Sequence, residues 1–204
     1  MPLILKKRFA ICYVFSFFVL IFTLGCSDDS PTGNDTLLDE NATIVINEIN
    51  YNSSDDFNPG DWVEFYNTDE SPVDLSGWTF MDEDNTHIYI VPDSTIIPSN
   101  GYLVLCTDTA AFNNLYPDVS NYLGNINFGF SGRGELLRLY NVQGELIDQV
   151  NYDDNEPWPV QPDGLGSTLA LVHPARNNEL PENWAASLGH GTPGAINDVY
   201  IPLN

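Results

Sequence analysis

Lysine is almost absent from this 204-residue sequence. Lys6 and Lys7 are its only lysines, and the six Lys and Arg residues stand against 29 Asp and Glu, a formal net charge of −23 at pH 7. Such a surface repels phosphate backbones and anionic headgroups, so nucleic acids are excluded as expected partners. A phosphate-binding loop that ends in lysine is excluded beyond residue 7. Acidity also has a plain role, because it keeps an exported protein soluble.

Cysteine is scarce as well. Cys12 lies in an apolar N-terminal run, Cys26 follows that run, and Cys106 stands alone in the strand-like stretch Y-L-V-L-C. No disulfide framework is therefore expected, and the fold must be held by a hydrophobic core. We interpret Cys106 as a small buried apolar residue.

The N-terminus has the features of an export signal. Lys6, Lys7 and Arg8 precede an apolar run over residues 9–24, which is shorter than the roughly 20 residues of a membrane span. We predict a secretory signal over residues 1–25. Its ending, T-L-G-C, resembles a bacterial lipobox, which makes Cys26 the lipidated first residue of the mature chain.

Residues 26–42 are polar, acidic and free of aromatic side chains, so they cannot bury enough surface to fold. We interpret them as a lipidated, flexible tether. Ser27 after the cysteine resembles the sorting pattern for the outer membrane, and Asp28-Asp29 resembles an acidic tag for surface display. The expected location is the cell envelope, as an outer-membrane lipoprotein held by its lipid and exposed at the surface. An ordinary linker is the alternative.

From residue 43 onward, short apolar or alternating runs are separated by Gly, Pro, Asn and Asp. This pattern predicts an all-β sandwich of about eight strands. The domain is expected over residues 43–197, with a tail over 198–204. One helix is predicted over 109–115, with Asp108 as its N-cap. The strands are expected at 44–50, 62–67, from 75 to 80, 87–91, 102–106, 135–141, 145–152 and 167–173.

Two glutamates, Glu48 and Glu64, lie in the middle of neighbouring strands. If these strands pair in register, the two carboxyl groups share a face and could act as acid and base, as in glycosidases. A simpler interpretation gives Arg138 an ion pair with Glu48 or Glu64 that holds the strands together. We favour the structural role, because the surrounding residues are those of an ordinary sandwich.

Calcium is the one cofactor that the sequence suggests. Carboxylates from loops can converge on this ion, although charged residues in turns are usually only solvated. Two groups are candidates: Asp55, Asp56 and Asp61, or Asp153, Asp154 and Glu156.

Several motifs together resemble one family, the lamin tail domain in its bacterial branch. They are I-V-I-N-E-I-N, D-W-V-E-F-Y-N, V-D-L-S-G-W-T-F, G-E-L-L-R-L-Y-N and P-E-N-W-A-A-S-L-G-H-G-T-P-G. The resemblance spans residues 43–197 and implies an immunoglobulin-like β-sandwich. Trp62, Phe65 and Trp78 are expected in its core, and Glu48 and Glu64 match recurring acidic positions. The family carries no agreed catalytic residues.

The expected function is therefore a non-catalytic binding module at the cell surface, with a protein or a polysaccharide as ligand. Phe57 and Trp158 are the candidate contacts, because exposed aromatic rings stack on sugars or peptides. A place over the core is the equal alternative for Trp158. Two alternatives stay open. One is a glycan hydrolase that uses Glu48 and Glu64, and the other is a module stabilised by calcium.

Overall fold

The computed structural model describes residues 43–203, so the signal sequence, the tether and Cys26 lie outside the described residues. This part contains twelve strands, one α-helix and one 3-10 helix, Pro181–Asn183. The helix α1 spans Thr109–Leu115. The strands are β1 Ile44–Asn50, β2 Trp62–Asn67, β3 Val73–Asp74, β4 Thr79–Met81, β5 Ile88–Ile90, β6 Ile96–Ile97, β7 Tyr102–Cys106, β8 Tyr122–Gly124, β9 Glu135–Tyr140, β10 Leu146–Tyr152, β11 Leu169–Leu171 and β12 Trp184–Ala186.

The strands form two main sheets and one short pair. One sheet has the order β12-β11-β1-β2-β7-β8, the other has the order β10-β9-β4-β5, and β3 pairs with β6. All pairings are antiparallel except the one between β7 and β8. The predicted immunoglobulin-like β-sandwich is confirmed.

The core lies between the two main sheets. β2 contributes Val63 and Phe65 from the six-stranded sheet, and β9 contributes Leu137 and Leu139 from the four-stranded sheet; all four are fully buried. The strict alternation of β2 explains this, because successive side chains point to opposite faces. Trp78 is also buried in this cluster.

Several predicted strands match the structure, and others are corrected. The bounds of β1, β2, β7 and α1 are as expected, and the side chain of Asp108 accepts hydrogen bonds from two N–H groups of the first helical turn. The strand expected from residue 75 begins only at Thr79, because Gly77 adopts φ +75° in a turn where Trp78 N–H donates to the Leu75 carbonyl. The strand count of about eight is too low, since β3, β6, β8 and β12 are only two or three residues long.

A second apolar cluster covers the outer face of the six-stranded sheet, the face that points away from the core. Trp62, Val104 and Cys106 project there from β2 and β7, and Phe112 of α1 packs on them. The helix therefore shields this part of the outer face. Cys106 is buried, as expected. None of the helices among residues 43–203 combines the length and apolarity needed to cross a membrane.

A buried carboxyl group links the two sheets. Asp148 of β10 accepts a hydrogen bond from Ile46 N–H of β1 at 2.6 Å and another from Asn178 Nδ2 at 2.7 Å. Its own strand has a register shift between Leu146 and Asp148. Burial raises the pKa of Asp148 to about 7, against the effect of these donors. The contact lies beside a second irregularity, in β1, that determines where Glu48 points.

Candidate functional site

Glu48 and Glu64 face each other across β1 and β2 on the outer face of the six-stranded sheet. Simple alternation would place Glu48 on the same side as Ile44 and Ile46. The register instead pairs Ile46 with Phe65 and Glu48 with Glu64, so one residue, Asn47, is extra in β1. Such a β-bulge reverses the alternation. Both glutamates are consequently on the outer face, and both have an exposed fraction of 0%.

The chain's own C-terminal segment, residues 187–201, lies on this glutamate pair. Thr192 N–H donates to both carboxyl oxygens of Glu48 at 3.2 Å, and Gly194 N–H donates to Glu64 Oε2 at 2.5 Å. The Thr168 hydroxyl also donates to Glu48. These donors therefore satisfy two carboxyl groups that are fully buried, and leaving such a buried acceptor without a partner costs about 1–3 kcal/mol per group.

Two asparagines add hydrogen bonds between the glutamate pair and the C-terminal segment. Asn47 Nδ2 donates to Glu64 Oε1 at 2.9 Å and to Asn197 Oδ1 at 3.2 Å. Asn197 Nδ2 donates to the carbonyls of Asn47 at 3.0 Å and Leu171 at 2.8 Å. The bulge residue Asn47 thus connects the glutamate pair to the C-terminal segment. These partners were not predicted, although the run G-H-G-T-P-G at 189–194 signals a tight backbone approach.

Burial dominates the protonation of the pair. It raises the pKa of Glu48 to about 8, although hydrogen bonds from Thr168 and Thr192 act in the opposite direction. It raises the pKa of Glu64 well above its usual value, and the neighbouring Glu48 raises it further. Two adjacent buried carboxyl groups cannot both ionise cheaply. At neutral pH the pair therefore retains at least one proton.

Arg138 does not pair with either glutamate, so the expected ion pair is wrong. Arg138 lies on β9 of the four-stranded sheet, and its Nη2 donates to the backbone carbonyl of Asp82. The two sheets separate it from the outer face on which Glu48 and Glu64 lie. Hydrogen bonds from neutral donors, together with protonation, take the place of the expected guanidinium.

The proposed calcium groups do not converge. Among residues 43–203, no three His, Cys, Asp or Glu side chains are placed to hold one metal ion. Asp61 instead accepts a hydrogen bond from Phe130 N–H at 2.8 Å. Asp153 and Asp154 both accept bonds from Asn155. The remaining members of the two groups are exposed side chains in turns: Asp55, Asp56 and Glu156.

The expected aromatic contacts are corrected as well. Trp158 is 7% exposed and belongs to the core, where its ring lies 6.2 Å from that of Trp184. Of the two interpretations of Trp158, the core position is therefore confirmed and the exposed contact is wrong, because the ring packs in the main core cluster. Phe57 is half-buried and stacks on His190 at 3.9 Å. This stacking holds the loop that follows β1 against the C-terminal segment. Trp62 and Phe65, the other two expected core residues, are fully buried.

The raised pKa values make the folded state less stable at higher pH. Between about pH 4.5 and 8 the folded protein binds protons at Glu48 and Glu64 that the unfolded chain has released, so the stabilisation is present below this range and lost through it. Asp148 acts in the same direction. We expect the melting temperature to fall by about 5–10 °C from pH 5 to pH 8, measured by circular dichroism.

Glu64→Gln provides the control for this pH dependence. The amide cannot ionise, so the decline in stability between pH 5 and pH 8 should be smaller than in the wild type. Glu70→Gln changes an exposed glutamate and should keep the wild-type slope. A stability that rises over this range, or equal slopes in all three proteins, would contradict the assignment.

Gly191 tests the close approach of the C-terminal segment. It adopts φ +92°, and an added Cβ would lie 2.7 Å from Glu48 Oε1. Gly191→Ala should therefore lower the free energy of unfolding by about 2–4 kcal/mol in urea denaturation. Gly144→Ala is the matched control, because Gly144 also has a positive φ, +78°, and no atom lies within 4 Å of its added Cβ. Equal effects of the two substitutions would refute the attachment.

Comparisons with known proteins identify the family of this chain. A crystal structure of a DUF4876 family protein from Bacteroides thetaiotaomicron is 9% identical, with a TM-score of 0.44 over 80% of this chain and 72% of that one, a likeness too low to support an argument. No curated protein matches. The model of the Lamin Tail Domain matches residues 39–154, which include Glu48 and Glu64. The chain belongs to the lamin tail domain family.

Proposed function

We propose that this protein is a non-catalytic binding module of the cell surface, held at the outer membrane by a lipid on Cys26. Its ligand is a protein or a polysaccharide of the surface. One observation carries the proposal: the glutamate pair has an exposed fraction of 0% and is hydrogen-bonded to the chain's own backbone. This arrangement supports a role in architecture for the two carboxyl groups.

The same observation weighs against the glycan hydrolase. A catalytic acid must reach the glycosidic oxygen, and its partner must reach a water or the sugar carbon. Here Thr192 and Gly194 occupy the positions that a substrate would need. A cleft of about 520 Å³ runs beside the C-terminal segment, but Asp118 is its only acidic lining residue in the part of the chain that the structure describes. A single carboxyl group does not supply the acid and base pair of this chemistry.

Charge favours a neutral or cationic partner. Residues 43–203 contain no lysine and three arginines, Arg133, Arg138 and Arg176. The acidic surface repels nucleic acids and anionic headgroups, so an anchor at the membrane needs the lipid. A single acyl chain binds a membrane only weakly, whereas several chains hold firmly.

The anchor can be tested by substitution of Cys26. The full chain, expressed in a Gram-negative host, should incorporate labelled palmitate and fractionate with the outer membrane. Cys26→Ala should incorporate none and should appear in the soluble fraction, while Cys106→Ala, a buried thiol, should behave as the wild type. Protease treatment of intact cells then reports surface exposure. Wild-type protein without label would refute the lipid anchor.

Binding and turnover can be separated with one variant. The wild type and Glu64→Gln should both bind an outer-membrane and surface-polysaccharide fraction of the source cells in a co-sedimentation assay, with equal affinity. Neither should release reducing ends from that fraction. Release by the wild type that Glu64→Gln abolishes would establish the hydrolase instead. Absence of any binding to the fraction would overturn the proposed function.

A further inference from the structure

A small aromatic cavity lies on the outer face of the six-stranded sheet, next to the glutamate pair. Its volume is about 170 Å³, well below the ~300–1,000 Å³ of sites for drug-sized ligands. We call it the tyrosine cavity. The lining residues that matter for the argument are Tyr66, Tyr102, His173, Ile196, Asn197 and Tyr200.

Two pairs of rings form the walls of the tyrosine cavity. Tyr66 and Tyr102 are opposite each other in β2 and β7, and their ring centres are 4.9 Å apart. His173 and Tyr200 form the second pair, at 5.0 Å. Tyr200 comes from the C-terminal segment and is held by backbone bonds on either side, from Tyr200 N–H to Asn197 and from Ile201 N–H to Val172. The cavity therefore exists only when this segment is attached.

The inner end of the cavity is preorganised and its own polar groups are satisfied. Asn197 uses its amide hydrogens on the carbonyls of Asn47 and Leu171, and its oxygen accepts from Asn47 Nδ2. Because these amides already have partners, they are not free to reorient toward a ligand. They fix the position of the aromatic walls, which lowers the entropic cost of binding a ligand.

The walls retain free hydrogen-bonding groups. Tyr66 OH donates to Asn100 Oδ1 at 3.1 Å, which leaves its oxygen able to accept. The hydroxyls of Tyr102 and Tyr200 have no hydrogen-bond partner within the described residues. Burial and then the neighbouring Tyr200 raise the pKa of Tyr66, and burial raises the pKa of Tyr102.

His173 adds a donor of fixed identity. Ala175 N–H donates to His173 Nδ1 at 3.0 Å, so the proton of the neutral ring is on Nε2. Burial lowers the pKa of His173, and Arg176 lowers it further. The ring is therefore neutral at pH 7. Among residues 43–203, no Asp, Glu, Lys or Arg side chain lines the tyrosine cavity.

These properties select one class of ligand. Aromatic faces accept an apolar surface, while hydroxyls and an N–H at their edges accept and donate hydrogen bonds. A pyranose ring has that combination, with C–H groups on its faces and hydroxyls around its edge. An anion is disfavoured because the chain is strongly acidic. An ammonium group finds no acceptor on the His173 ring, because Nδ1 already accepts from Ala175 N–H and Nε2 carries the proton.

We infer that the tyrosine cavity binds one neutral pyranose ring of a surface saccharide. The inference rests on the proposed function, which allows a protein or a polysaccharide as ligand. It names the polysaccharide as the ligand recognised at this cavity. The ring stacks between the two aromatic pairs. Its hydroxyls exchange hydrogen bonds with Tyr102, Tyr200 and His173.

The test titrates the full-length protein with defined sugars. Methyl glucoside, methyl galactoside and N-acetylglucosamine are the neutral probes, and glucuronate and choline are the charged ones. Saturation-transfer NMR detects contact, and calorimetry measures Kd. At least one neutral sugar should bind with Kd on the order of 1–10 mM, as one small ring allows. Neither charged probe should bind.

Matched variants locate the binding. Tyr102→Phe and Tyr200→Phe keep each ring and remove one hydroxyl, so each should weaken binding by about fivefold. Tyr140→Phe removes a hydroxyl from the four-stranded sheet and should leave Kd unchanged. Melting temperatures near that of the wild type exclude unfolding as the cause. Tyr200→Ala, which removes a wall, should abolish the signal.

Three outcomes would overturn the inference. They are no contact with any neutral sugar up to about 50 mM, binding of glucuronate or choline instead, and equal weakening by Tyr140→Phe. If sugars fail while the protein still sediments with the envelope fraction, the sugar site falls and the proposed function stands. If both assays fail, both proposals fall.

Discussion

The outer face of the six-stranded sheet depends on a hydrogen-bonded contact between two buried glutamates and the backbone of the C-terminal segment. Thr192 and Gly194 donate to Glu48 and Glu64. Without this contact, two buried carboxyl groups would lose backbone donors, and the segment that carries Tyr200, a wall of the tyrosine cavity, would lose one of its attachments to the sheet. A pair of acids can fill this role because burial keeps a proton on the pair, which avoids two adjacent charges in a dry environment.

This contact also joins the region that matches the family to the residues that follow it. The Lamin Tail Domain match covers residues 39–154 and includes both glutamates. Of their donors, Thr168, Thr192 and Gly194 follow that region, and Asn47 lies within it. The sandwich therefore presents two buried acids on its outer face, and the later part of the chain supplies most of their donors. α1 covers another part of the same face with Phe112.

The acidic character of the chain has two separate consequences. Its surface carboxyl groups are solvated and repel anions, which restricts partners. Three of its buried carboxyl groups, those of Glu48, Glu64 and Asp148, accept hydrogen bonds from backbone N–H groups near irregular places in the sheets. Composition alone does not separate these two populations. The local signal of a buried carboxyl group is its position in a strand between apolar neighbours, as at Glu64.

The sequence by itself determined the all-β class, the main strands and the helix, because side-chain periodicity and capping are local properties. It also determined the family, through motifs spread along the chain. Only the tertiary structure decided which face Glu48 occupies, because the bulge at Asn47 reverses the alternation. It likewise decided that Trp158 is buried, that Arg138 lies on the other sheet, and that Tyr200 meets Tyr66 and Tyr102. These are contacts between residues far apart in sequence, and no local pattern encodes them.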